Sequence, residues 1–106
     1  MSKPHYRDAY LEGAIEDLIE VQDFYEQQSQ GLGVEFADAV TTRLDLVLEF
    51  PEAHAVFSEL GVRRVSVGSF PFFVIYKLVE GVVYVIAVVH KKRNPRFWLP
   101  RLKSFE

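Results

Sequence analysis

The sequence predicts an α+β domain: an N-terminal edge strand, an antiparallel helical hairpin, and a curved antiparallel β-sheet ending in a three-stranded C-terminal meander. Three observations carry this. Residues 11–50 place apolar side chains at steps of three and four, the period of helices buried on one side. Residues 62–89 hold three apolar runs rich in Val, Ile, Phe and Tyr, separated by Gly68-Ser69 and Glu80-Gly81. Such residues favour strands, and short glycine-containing gaps favour hairpins. With 106 residues, about half of them apolar, the chain has enough material for one domain, 1–106, around one core.

The elements follow in order. Residues 5–10, HYRDAY, carry Tyr6 and Tyr10 as apolar anchors around Arg7 and Asp8. Alone they are a weak strand; a meander with an open edge gives them a partner. Leu11, Ala14, Ile15, Leu18, Val21 and Tyr25 predict a helix over Leu11–Gln28. Its remaining positions are largely acidic, either a solvated face or a dock for a basic partner. Gly31 and Gly33 break the pattern. Phe36, Ala37, Val40, Leu44, Val47 and Leu48 then predict a second helix over Val34–Phe50, ended by Pro51. Pro51–Leu60 lacks periodicity and reads as a loop.

In the meander, Val62–Val67, Phe70–Val79 and Val82–Val89 are the expected strands. Alternation puts Arg63 with Val65 and Val67 on one face, and Arg64 with Val62 and Ser66 on the other. Phe70–Val79 is apolar on both alternating sets except for Lys77, which suits a central strand covered on both sides.

Charge divides the chain. Residues 1–60 hold thirteen acidic and three basic residues; residues 61–106 hold two acidic and nine basic. Residues 91–103 contain six Lys/Arg and no acid, with Phe97 and Trp98 among them. Interleaved basic and aromatic residues suit single-stranded nucleic acid or an acidic amphipathic helix; alternatively the two rings plug the end of the helical hairpin. The candidate contact residues are Lys91, Lys92, Arg93, Arg96, Phe97 and Trp98. No cysteine is present, so disulfides and thiol chemistry are excluded. His5 and His54 stand alone without neighbouring ligand residues, so no metal site and no cofactor is expected. No apolar stretch predicts a signal peptide or membrane span, which points to a soluble cytoplasmic protein.

The order of strand, two helices and basic-ended meander resembles the RelE/ParE superfamily of type II toxin–antitoxin toxins. Phe24-Tyr25-Glu26, the Gly31–Phe36 segment, Phe50-Pro51, Val62–Arg64, Phe70–Phe72, Ile75-Tyr76, Val88–His90 and Arg93–Pro95 carry the resemblance, over about Tyr6 to Trp98. It is closer to the ParE-like, plasmid-stabilisation members. It implies growth inhibition, neutralised by a cognate antitoxin, and leaves a homodimer open. ParE-like members are associated with DNA gyrase; RelE-like members cleave mRNA in the ribosome without a metal. Cleavage through the 2′-hydroxyl needs an acid, a base and cations for the developing charge. Arg63 or Arg64, His90 and Arg93 are the residues such a nuclease would use. Phe73, however, stands where the resemblance places a nuclease arginine, and loss of one positioned donor costs about 10²–10³ in rate. Gyrase inhibition is therefore expected first, mRNA cleavage second, and a non-toxic binding module on the same fold third.

Overall fold

The computed structural model describes residues 6–106, so His5 lies outside the described residues. The element order is β1 (Arg7–Tyr10), α1 (Glu12–Gln28), α2 (Leu32–Glu49), β2 (Val62–Ser66), β3 (Phe72–Val79) and β4 (Val82–His90), followed by short 3₁₀ helices at Pro95–Phe97 and Leu99–Phe105. The sheet order is β1-β4-β3-β2. The meander is antiparallel as expected, but β1 joins β4 in parallel, so the sheet is mixed.

The helices form where the apolar stripe lies. Ala14, Phe36, Val40, Leu44 and Val47 are buried against Val65, Val67, Val74, Tyr76, Val83, Val85 and Val88 of the sheet. Helix α2 begins two residues before the expected Val34. Gly31 takes a left-handed conformation (φ 88°), and no local side chain caps the helix. Instead the Glu26 carboxylate of α1 accepts hydrogen bonds from the Gly31 and Gly33 backbone N–H groups, at 2.9 and 3.0 Å. A carboxylate at a helix N-terminus satisfies orphan donors and complements the dipole.

Strand β3 begins at Phe72 rather than Phe70, because Phe70 and Pro71 belong to the turn from β2. Strand β4 runs one residue further than expected, to His90. Glu80 (φ 48°) and Gly81 (φ 81°) form the two-residue turn between them, in the positive-φ form that matches strand twist.

The register slips in the middle of the β3–β4 pair. Ile75 faces Ala87 and Tyr76 faces Val85, leaving Ile86 as an extra residue in β4. This bulge turns both Ile86 and Ala87 to the face away from the helices. There a second core gathers Val62, Ile75, Ile86, Ala87, Val89 and Trp98, with Leu99, Leu102 and Phe105 of the C-terminal segment packed on it. The sheet is thus covered on both faces, as the apolar second strand requires.

Candidate functional site

The strand ends deliver the basic residues to one corner. Arg64 comes from β2, Phe73 from β3, and His90, Lys91 and Arg93 from the end of β4. They line a recess of about 140 Å³ with Phe57, Pro95 and Trp98. Arg64 lies 4.9 Å from the Phe57 ring centroid and 4.7 Å from that of Phe73. Lys91 lies 5.1 Å from Phe73, and Arg93 lies 3.9 Å from Phe97. Cations over aromatic faces attract the ring quadrupole and lose conformational freedom.

The two adjacent arginines part as alternation predicts. Arg63 turns to the helix face and donates to the Glu52 and His54 carbonyls, tying down the loop after α2. Tyr76 completes that anchor by donating to the Pro51 carbonyl at 2.7 Å. Burial pushes the Tyr76 hydroxyl above its ordinary pKa of 10.0, and the Arg63 charge partly offsets this. Of the nuclease candidates, Arg64, His90 and Arg93 are brought together, and Arg63 is held elsewhere.

His90 is exposed. Its Nδ1 accepts from the Lys92 backbone N–H at 3.1 Å, which leaves Nε2 as the protonated position of the neutral ring. The ring meets Phe72 edge-on, with centroids 5.4 Å apart. His90 also borders two adjoining grooves between α1 and the sheet. One, about 340 Å³, reaches Asp17, Arg93 and Phe97; the other, about 430 Å³, reaches Phe24, Tyr25 and Pro71.

Lys91, Lys92, Arg93, Arg96 and Phe97 are exposed, as contact residues must be. Trp98 is not. It is 2 % exposed and belongs to the second core, so it cannot offer its face to a partner. Nor does it plug the helical hairpin, since it packs on the opposite side of the sheet.

Sequence patterning passed over Asp17 and Arg101. Asp17, in the acidic helix, is 7 % exposed. Its Oδ2 accepts from Arg101 Nη1 at 2.7 Å and from the Val88 backbone N–H at 3.1 Å, while Oδ1 accepts from Arg101 Nη2 at 3.1 Å. One signal was available: Asp17 lies three residues after Ala14 and four before Val21, inside the apolar stripe. Arg101, grouped by sequence with the free basic tail, carried none. Among the described residues no group of His, Cys, Asp and Glu could hold a metal, and no helix is long and apolar enough to cross a membrane.

The fold is shared with solved toxins. It superposes on a protein of the chromosomal ParDE system of P. aeruginosa with a TM-score of 0.69, at 14 % identity, covering 81 % of this chain and 96 % of that one. An E. coli RelE toxin mutant in the free state gives 0.65 at 20 % identity, covering 84 % and 86 %. A chain of the intact E. coli RelBE toxin–antitoxin complex gives 0.59 at 22 % identity, covering 83 % and 99 %. No curated protein is similar enough in sequence to match. Residues 9–95 match the family described as the ParE toxin of the type II toxin–antitoxin system parDE. With most of its length matched, and with the strand, helical hairpin and basic-ended meander of its structural neighbours, the chain belongs to the ParE toxin family of type II toxin–antitoxin systems.

Proposed function

We propose that the chain inhibits growth by acting on DNA gyrase and is neutralised by a cognate antitoxin. The observation that carries this choice of target is Phe73. It occupies the second-strand position at the centre of the basic corner, with Arg64 and Lys91 over its ring. A nuclease would need a cation there for the charge developing on the phosphorus oxygens. A ring with cations on its flanks instead builds a binding surface without bond-making groups at its middle. The antitoxin is supported by family membership and by solved neighbours from ParDE and RelBE systems.

Ribosome-dependent mRNA cleavage is the second reading. It is favoured by the meeting of His90, an imidazole with one donor and one acceptor nitrogen, with Arg64 and Arg93 at one recess. Induced expression separates the two. A gyrase poison raises the DNA-damage response before protein synthesis falls; a ribosome-dependent nuclease reverses that order. A binding module that has lost toxicity produces neither. Cleavage of mRNA on programmed ribosomes, abolished by His90→Ala, would replace gyrase with the ribosome as the target.

A further inference from the structure

The groove of about 340 Å³ between α1 and the end of β4 has walls of opposite charge. Asp17 and Glu20 line it from α1; His90, Arg93 and Phe97 line it from the chain leaving the sheet. Asp17 is taken up inside the fold by Arg101, at 2.7 Å. Glu20 and Arg93 are exposed, and no ion pair joins either of them to another described residue. The groove thus keeps a carboxylate and a guanidinium on opposite sides, each open to an occupant.

The division continues beyond the groove. Glu16, one turn before Glu20, and Asp23, three residues after it, are exposed on a helix that contains no Lys or Arg. Like charges at these spacings destabilise a helix. On the other side, Lys91, Lys92 and Arg96 flank Arg93 in the chain and are exposed as well. Each side also carries an exposed ring: Phe24 on α1, 56 % accessible, and Phe97 after β4, 40 % accessible.

A purely acidic or purely basic partner answers one wall and is repelled by the other. A second copy of the chain answers both. A two-fold contact requires a self-complementary surface, on which residue i of one copy meets j of the other and j meets i. Acid beside base across one groove is such a surface. We propose that the chain self-associates through this groove as a two-fold dimer, with Glu20 of each copy paired to Arg93 of the other. The proposal is independent of the cellular target.

Sedimentation velocity on the full chain over a range of concentrations tests this. A dimer should form at low salt as concentration rises, and its dissociation constant should rise about tenfold or more at high salt. Glu20→Lys and Arg93→Glu should each abolish the homodimer, because each sets like charge against like at both contacts. The two variants mixed in equal amounts should dimerise again, since every altered charge then meets its opposite. Asp38→Lys, the same charge change on α2, should leave the dimer intact. A chain that stays monomeric at low salt would overturn the proposal and leave the groove to another protein. A dimer that survives both reversals, or a mixture that stays monomeric, would overturn it too. Should either reversal fail to fold by circular dichroism, Glu20→Gln and Arg93→Gln take their place. Each should weaken the dimer about fivefold, and no change in either would count against the pairing.

Discussion

Arg101 and Asp17, 84 residues apart in the chain, together close the edge of β4 where β1 ends. Strand β1 pairs with β4 only as far as Tyr10 and Val85, and the Leu11 N–H adds one bond to the Val85 carbonyl at 3.0 Å. Beyond this the bulge residue Ile86 presents its carbonyl to Arg101 Nη1 at 2.9 Å, and Val88 presents its N–H to Asp17. An ion pair thus takes over from a strand, satisfying edge groups that burial would otherwise leave unpaired. The same pair ties α1 to the C-terminal segment covering the second core.

Removing either partner should be costly, and unequally so. Asp17 is the more buried, so Arg101→Met leaves an uncompensated charge in the protein and should cost about 3–5 kcal/mol. Urea denaturation of Arg101→Met, Asp17→Leu and the double variant measures this. The double variant should lose less than the sum of the singles, because neither then leaves a buried charge behind. Additive losses would mean that the pair does not act as a unit.

Gly13 should reveal the same contact through a change of sign. A Cβ built there would lie 2.7 Å from Arg101 Cζ and Nε. Gly13→Ala should therefore displace the guanidinium and lower stability, despite a helix-propensity gain of about 1 kcal/mol. In an Arg101→Ala background the clash is gone, and Gly13→Ala should raise the melting temperature. Stabilisation in both backgrounds would show that Arg101 yields at no cost.

Trp98 and Arg93 should separate stability from binding. Trp98→Ala empties part of the second core and should cost about 3–5 kcal/mol. Arg93→Ala removes an exposed cation and should change stability by less than about 0.5 kcal/mol while weakening partner binding. Thermal melts of both variants, followed by antitoxin titration of those that fold, provide the check.

Alkaline pH should weaken the fold through Tyr76. Its folded pKa lies above the ordinary value of 10.0, so its contribution is intact below pH 10 and is lost as pH rises through the folded pKa. Tyr76→Phe should be less stable at pH 8, because the Pro51 carbonyl loses its donor at a cost of about 1–3 kcal/mol. It should also lose less stability than the parent between pH 9 and 11. Tyr10 and Tyr25, likewise raised by burial, stay in both proteins as an internal reference.

Local signals place the two helices and the meander, though not the parallel pairing of β1 with β4. Helical period over 11–50, β-branched and aromatic runs over 62–89, and the Glu80-Gly81 turn place the helical hairpin and meander to within two residues at nearly every boundary. These are local signals: periodicity shows which side of each element is buried, and turn residues show where the chain reverses. The exposed basic residues of 91–96 were legible for the same reason, since runs of charge stay in water. Which residues meet follows from contacts between distant parts of the chain. The bulge at Ile86 comes from pairing two strands, and it adds Ile86 beside Ala87 to the face that buries Trp98. Arg101 is one cation of a basic run in sequence but the half-buried partner of Asp17 in space. Phe73 is marked in the sequence only as the absence of an arginine; that Arg64 and Lys91 approach its ring from the strands on either side is visible only in the fold. Each is a long-range pairing that no local pattern encodes, because its energy depends on groups brought together only by the sheet.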